Sequence, residues 1–168
     1  MPLSMHQASV PVFVRMLGAL SAILTKAEAD AVARKIDPSV FVNARLAPDM
    51  FALARQVQIA TDGVKGGVSR LAGVEIPSYP DTETSFEELQ ARIAKTVAYL
   101  ESFTPDQIDG SEDRAVTMKL PGGELEFKGA DYLLNFVLPN FYFHLTTAYA
   151  ILRQNGVAVG KRDFLGGI

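Results

Sequence analysis

Apolar residues recur at intervals of three and four along four long segments of the chain, which is the spacing of one helical face. A short region between the third and fourth segments alternates apolar and polar residues instead. The pattern predicts an all-α protein built as an antiparallel up-down four-helix bundle, with a small β-hairpin between helices 3 and 4. At this length we expect one domain, residues 1–168.

The first predicted helix begins after Ser4 or Ser9, since either hydroxyl can cap it. Residues 26–36 continue this helix or form a short separate one, and Asp37-Pro38 opens a turn or short helix that ends at Val42. The apolar face of helix 1 contains Val12, Val14, Met16, Leu17, Leu20, Ile23 and Leu24.

Helix 2 is predicted to start at Pro48, because proline suits the first helical position. Asp49 would then lie near the positive end of the helix dipole. Gly73 ends this helix, and a capping box from Ser85 to Glu88 opens helix 3. The apolar stripe of helix 2 contains Met50, Leu53, Val57, Ala60, Val64, Val68 and Leu71.

Residues 115–128 change to a period of two on either side of a Pro-Gly-Gly turn, which predicts the hairpin. Helix 4 follows from about Ala130. Pro139 lies inside it and predicts a kink, because proline has no N–H for the carbonyl of Asn135. The glycine-rich tail is too short for another long helix, and we expect its Phe164 and Leu165 to pack on the bundle or on a partner.

Composition excludes several classes of function. The chain has no cysteine, so disulfides, thiolate nucleophiles and cysteine zinc sites are ruled out. Its formal net charge of −3, without a long basic run, argues against a nucleic-acid partner. The N-terminus lacks the pattern of a signal peptide, and no segment is an unbroken apolar run long enough to span a membrane. We therefore expect a soluble cytoplasmic protein with no membrane partner.

The candidate chemistry is concentrated on helix 4. Asn140 and His144 are four residues apart, so both project from one side of the helix. His144 suits a metal ligand or a general base, because its unperturbed pKa is about 6.5. The competing interpretation is a core histidine that is hydrogen-bonded to Asn140 or Gln56.

The remaining pocket candidates are Arg45, Asp49, Gln56 and Tyr142. Gln56 lies on the flank of the helix 2 stripe and borders the core. Arg45 and Asp49 lie on either side of the predicted start of helix 2. We expect them to form a salt bridge; the alternative is that they anchor a substrate. Tyr142 is more often a packing residue than a catalytic one. His6, near the chain start, is expected to have a surface or capping role.

The run H-L-T-T-A-Y-A-I-L-R-Q-N-G, beginning at His144, resembles the closing helix of the DinB/YfiT-like four-helix bundles, a superfamily associated with metalloenzymes. Its members carry H-x-x-x-H before this ending, so His144 matches the second histidine and Asn140 replaces the first. The family's third ligand is a histidine on helix 2, where Gln56 is the best matching position. The motifs NARLAPDM and GKRDFLG make the chain more similar to an uncharacterised branch of the superfamily.

The resemblance implies three alternative functions. A small-molecule-binding protein with a degenerate metal site is the first, because two of the three ligand positions are substituted. A metal- and thiol-dependent transferase or isomerase is the second, and a structural or stress-related homo-oligomer is the third. We expect no cofactor, with zinc or nickel bound weakly through His144 at most. The wide apolar arcs of helices 1 and 4 further predict a homodimer.

Overall fold

A computed structural model describes residues 3–167. The chain is mostly helical and contains one two-stranded antiparallel sheet in that range, as the sequence predicts. The elements are α1 (Val10–Ala33), α2 (Pro38–Val42), α3 (Leu53–Ala72), α4 (Phe86–Glu101), α5 (Pro105–Ile108), β1 (Ala115–Leu120), β2 (Gly123–Lys128), α6 (Gly129–Tyr132), α7 (Leu138–Gln154) and α8 (Lys161–Phe164), with a π-helical turn at Leu133–Val137 before α7.

The four long helices α1, α3, α4 and α7 surround the apolar core. α3 packs against α7 and α4, while α1 packs against α4, α7 and the short α8. Facing positions on α3 and α7 run in opposite directions along the chain: Gln56 meets His144, Gly63 meets Asn140 and Gly67 meets Val137. This pair is therefore antiparallel, and the complete up-down bundle stays a prediction.

α1 continues without a break through most of the 26–36 segment and starts directly after Ser9. The Ser9 side chain caps no helical N–H; its hydroxyl instead donates to the carbonyl of Met5 at 2.7 Å. By length and composition α1 could cross a membrane, which differs from the expectation drawn from unbroken apolar runs. Its apolar face is buried against the other helices, as in the core helix of a soluble domain.

The predicted start of helix 2 at Pro48 is wrong, because α3 begins five residues later at Leu53. Residues 44–52 form a loop instead, closed by a hydrogen bond of 2.9 Å from the Leu53 N–H to the Ala44 carbonyl. Ala52 at the end of the loop is in an extended conformation. Asp49 consequently lies in an exposed turn and not in the first turn of the helix.

The ends of α3 and α4 agree with the turn chemistry of the sequence. Gly73 ends α3 with φ 71°, a left-handed conformation that favours glycine. At the start of α4 the Ser85 hydroxyl accepts from the Glu88 N–H at 3.2 Å. The Glu88 carboxylate bonds to the Thr84 N–H, one residue earlier than the partner in a standard capping box.

The hairpin is confirmed, with Val116 paired to Phe127 and Leu120 paired to Gly123 across a two-residue turn. Only its base packs on the helices. Val116 is buried, and the Phe127 ring lies 5.6 Å from the ring of Tyr132. At the tip, Leu120 is exposed to solvent. The hairpin thus projects from the helical body.

The kink predicted at Pro139 stays a prediction; the structure shows a π-helical turn at Leu133–Val137, which directly precedes α7. Proline removes one donor from the hydrogen-bond ladder, and a wider turn is one way in which a helix accommodates such a loss. The turn includes Val137, which faces Gly67 of α3, and it ends three residues before Asn140.

An ion-pair network around the buried Arg92 of α4 attaches the proline-rich loop between α3 and α4. The Arg92 guanidinium contacts three carboxylates: Asp62 at 2.9 Å, Asp81 at 3.1 Å and Glu83 at 3.0 Å. Its Nε also donates to the Thr61 hydroxyl at 2.8 Å. Asp81 and Glu83 belong to the loop, whereas Asp62 belongs to α3, so one side chain joins all three segments.

Further cations surround Tyr79 in the same loop. The Lys65 Nζ lies 3.8 Å from the centroid of the Tyr79 ring and the Lys95 Nζ lies 4.1 Å from it. Lys65 is buried and also pairs with Asp62 at 2.7 Å. Burial of the Tyr79 hydroxyl raises its pKa above the ordinary value. Ammonium groups over an aromatic ring add to the attachment of the loop.

We predict that Arg92→Met destabilises the protein by about 1–3 kcal/mol, because Glu83 and the Thr61 hydroxyl lose the guanidinium, while Asp62 and Asp81 keep Lys65 and Arg55 as partners. The free energy of unfolding from urea denaturation measures this loss. Arg153→Met is the matched control, since Arg153 is exposed, and its effect should stay within about 0.5 kcal/mol. Equal stability of the two variants would show that the network contributes nothing to the fold.

Candidate functional site

The candidate site is the contact between His144 of α7 and Gln56 in the first turns of α3. The His144 Nδ1 and the Gln56 Oε1 lie 2.7 Å apart. Gln56 is 1% exposed and His144 is 8% exposed, so the hydrogen bond forms between two buried helix faces. Of the two partners that the sequence offered for His144, the structure selects Gln56.

The hydrogen bonds of Gln56 determine the tautomer of His144. The Gln56 Nε2 donates to the Phe51 carbonyl at 3.0 Å, so the amide oxygen faces the imidazole. Because that oxygen can only accept, the His144 Nδ1 carries a proton and donates it. In the neutral ring the lone pair is therefore on Nε2.

The Nε2 atom of His144 keeps contact with solvent. It makes no hydrogen bond to any residue between 3 and 167. Over that range the only buried side-chain polar atom without a partner is the Ser111 Oγ, so Nε2 is not fully enclosed. An accessible nitrogen lone pair can accept a hydrogen bond or a proton from a ligand.

Burial lowers the pKa of His144 below its ordinary value, and the positive charge of Arg55 lowers it further. Both effects disfavour the imidazolium form. Arg55 is itself paired with Asp81 and donates to the Gln58 side chain at 3.3 Å. The site is therefore linked through Asp81 to the Arg92 network.

The structure places Asn140 one helical turn from His144, but against a different part of α3. A Cβ added at Gly63 would lie 3.1 Å from the Asn140 Nδ2, so the amide packs on the bare backbone of that glycine. Gln56 is seven residues earlier on α3, which corresponds to about 10 Å along the helix axis. Asn140 thus does not join the Gln56–His144 hydrogen bond.

Arg45 and Asp49 lie in the loop before α3, and both are exposed. The salt bridge predicted between them is not formed, since the Arg45 Nη1 donates to the Met50 carbonyl at 2.7 Å. Tyr142 is half-buried, and its ring centroid lies 5.8 Å from that of Phe141. None of the three has a hydrogen bond to Gln56 or His144 within the described chain.

His6 lines a separate surface cavity of about 500 Å³. Its Nε2 is 3.3 Å from the Phe103 carbonyl, and its backbone N–H donates to Asp109 at 2.8 Å. The cavity is formed by the segments around the start of α1, the end of α4 and α5, and its lining does not include His144. His6 therefore ties the N-terminal segment to the end of α4, in line with a capping role.

Three residues beside the pair were missed from the sequence: Phe51, Phe143 and Arg55. The Phe143 ring lies 5.2 Å from the imidazole of His144, edge to face. Phe51 supplies the carbonyl that holds Gln56, and the Arg55 guanidinium lies 5.9 Å from its ring. Both phenylalanines are more than half exposed, at 54% for Phe51 and 57% for Phe143.

No group of three or more histidine, cysteine, aspartate or glutamate side chains within residues 3–167 is arranged to hold a metal ion. Around His144 the other protein donors are the neutral amide of Gln56, which is already bonded, and that of Asn140, which is turned to Gly63. These residues do not fit a divalent ion of the kind that three imidazoles bind.

Comparisons with known proteins give the family. The sequence profile of a family described as Domain of unknown function (DUF1993) matches residues 5–165. This chain belongs to the DUF1993 family. The DUF1993 chain is also similar to a DinB family member protein from Shewanella denitrificans, whose crystal structure matches with a TM-score of 0.88 at 43% identity. The match covers 97% of this chain and 92% of that chain.

No curated protein matches the DUF1993 chain. The resemblance to DinB-like proteins, drawn from the H-L-T-T-A-Y-A-I-L-R-Q-N-G run, is confirmed for the family and for the helical fold with its small sheet. The comparisons carry no statement about a ligand or a reaction, so function depends on the residues of the site.

We predict that His144 titrates below the ordinary histidine pKa of about 6.5. NMR of the imidazole signals measures this in a His6→Gln variant, which leaves His144 as the only histidine. Arg55→Gln should raise the pKa, because it removes a repelling positive charge. A midpoint at or above 6.5, or no response to Arg55→Gln, would contradict this description of the site.

The lowered pKa of His144 also determines how the stability of the protein changes with pH. The unfolded chain binds a proton at this histidine more readily than the native one, so the stability that His144 contributes is present at neutral pH and falls as the pH drops through about 6.5. Urea denaturation between pH 7 and pH 5 should show this loss.

Proposed function

We propose that the protein binds a small molecule at His144, in a DinB-like fold whose metal position has been lost. The Nε2 atom of His144 carries the proposal, because it has no hydrogen-bond partner among residues 3–167 while Gln56 holds the other ring nitrogen. The bond of 2.7 Å from the His144 Nδ1 to the Gln56 Oε1 orients the imidazole and leaves the Nε2 lone pair free to accept. A buried acceptor that is held on one side and free on the other is suited to ligand recognition.

The donor set supports a lost metal position. A catalytic zinc site uses three strong protein ligands and one open position. His144 offers one imidazole nitrogen, and neutral amides at positions 56 and 140 are weak ligands for zinc or nickel. We infer that these ions bind weakly or not at all.

The alternative of a metal- and thiol-dependent transferase or isomerase receives less support. That reaction needs a metal to convert the thiol of a small cofactor into a thiolate, and the donor set around His144 does not fit one. His144 would have to act on the thiol as a general base, without a Lewis acid.

The homo-oligomer alternative rests on exposed apolar residues. Phe143 and Leu134, on α7 and the turn before it, are both more than half exposed. Phe164, which the sequence assigned either to the bundle or to a partner, packs with its ring centroid 6.0 Å from that of Tyr149 in the same chain. We propose a homodimer in solution on this basis, which light scattering at micromolar concentration distinguishes from a monomer.

We predict that the double change Gln56→His and Asn140→His creates measurable zinc binding. Three imidazoles would then project between α3 and α7, so zinc should bind about tenfold or more tightly than to the native chain. Isothermal titration calorimetry at neutral pH measures both proteins. Thr146→His with Gln154→His is the matched control, because it adds two exposed histidines two helical turns apart on α7.

Tight zinc binding by the native chain would refute the lost metal position. A gain by the control double variant equal to that of the site variant would show that added histidines alone are responsible. An absence of any gain would mean that position 56 is not where the third ligand belongs, or that supporting residues have also changed.

We further predict that a screen of small fragments yields binders that move the imidazole NMR signals of His144. The His6→Gln protein gives unambiguous signals for this measurement. The signals should move in a saturable way with fragment concentration, and the free Nε2 should respond more than the bonded Nδ1. A screen in which no fragment affects His144 would remove the proposed function.

A further inference from the structure

His144 offers one polar acceptor, and two residues beside the Gln56–His144 pair, Phe51 and Phe143, have side chains that are more than half exposed. The Phe143 ring packs edge to face with the imidazole at 5.2 Å. The Phe51 backbone is bonded to Gln56, the partner of that imidazole, so Phe51 adjoins the pair from the loop before α3. Large exposed aromatic side chains next to an accessible hydrogen-bonding atom are typical of binding surfaces.

The His144 Nε2 restricts the kind of hydrogen-bonding group that a ligand can present to it. Because the Nδ1–H is committed to Gln56, the accessible Nε2 of the neutral ring accepts a hydrogen bond and donates none. A ligand at this atom must therefore supply an O–H or N–H group. A ligand that offered only acceptors would leave the lone pair of Nε2 unpaired on binding, which is unfavourable.

The charge around the pair favours a neutral ligand. The charge of Arg55 acts on His144, but its guanidinium is already paired with Asp81 and bonded to Gln58. An anionic ligand would have to compete with that carboxylate. A neutral donor leaves the ion pairs intact.

We propose that His144, Phe51 and Phe143 form a subsite for a small neutral aromatic molecule that carries one O–H or N–H donor. The donor bonds to the His144 Nε2, and the aromatic ring of the ligand packs on the two phenylalanines. The inference rests on the proposed function and adds the chemical class of the ligand to it.

Three probes of similar size test the proposal without changing the protein. Phenol has both the ring and the donor, anisole has the ring with the donor blocked, and cyclohexanol has the donor without an aromatic ring. Phenol is neutral at pH 7, since its hydroxyl resembles that of tyrosine with a pKa of about 10. Binding is measured by NMR titration of the His144 imidazole nitrogens in the His6→Gln protein.

Phenol is expected to bind with a dissociation constant on the order of 1 mM, as suits so small a molecule. It should shift the Nε2 signal while Nδ1 stays protonated. Anisole should bind about tenfold more weakly, because it lacks the hydrogen bond. Cyclohexanol should also bind more weakly than phenol, because it cannot stack on the phenylalanine rings.

Substitutions of the two phenylalanines test whether their rings contribute to binding. Phe51→Ala and Phe143→Ala should each weaken phenol binding, while Leu134→Ala should not, although Leu134 is exposed to a similar extent at 55%. Both phenylalanine side chains are exposed, so their removal should leave the fold intact. Equal effects of all three substitutions would overturn the role of the rings.

The outcomes separate this inference from the function on which it rests. Equal affinity for phenol and anisole overturns the donor requirement. Binding of other fragments at His144 without phenol overturns the ligand class but keeps small-molecule binding, whereas no response of His144 to any fragment removes both. A further outcome is that phenol shows no binding while light scattering shows a dimer that Phe143→Ala dissociates. In that case a second copy of the chain covers the phenylalanine rings, and the proposal is wrong.

Discussion

The close contact between α3 and α7 is the constraint on which the site depends. A Cβ added at Gly67 would lie 2.7 Å from the Val137 Cγ1, so only glycine lets the Val137 side chain pack this close to the backbone of α3. The same approach brings Asn140 onto Gly63 and the His144 ring within hydrogen-bond distance of Gln56. A side chain at Gly67 would force Val137 to move, whereas at Gly63 the Asn140 amide would have to give by only a few tenths of an ångström.

The Gln56 amide, which is buried between these helices, has a hydrogen-bond partner for each of its polar atoms. Gln56 uses its oxygen for His144 and its nitrogen for the Phe51 carbonyl, so both ends of the amide are satisfied. A typical hydrogen bond contributes about 0.5–1.5 kcal/mol, while an unmatched buried partner costs about 1–3 kcal/mol. The pair therefore acts more to fix one orientation of the imidazole than to add stability.

Arg92 has a comparable role on the other side of α3. It holds the proline-rich loop through Asp81 and Glu83, and Asp81 also pairs with Arg55 beside the site. A charge placed in the core would be unfavourable alone, but here three carboxylates and the Thr61 hydroxyl satisfy it. The loop is thus bound to α3 and α4, and the electrostatic surroundings of His144 depend on that attachment.

The amino-acid sequence by itself determined the helical class, the hairpin and the family, because these follow from local periodicity, turn residues and a contiguous motif. Gly73 ends α3, Ser85 caps α4 and the Pro-Gly-Gly turn connects the two strands, as the sequence predicts. The sequence misplaces the start of α3, because a hydrogen bond from the Leu53 N–H to the Ala44 carbonyl, nine residues earlier, closes a loop that overrides the helix-starting preference of Pro48. Only the tertiary structure decided the partner of His144 and the roles of Arg92, Phe51 and Phe143, since these depend on which distant segments meet across the core and which side chains remain exposed.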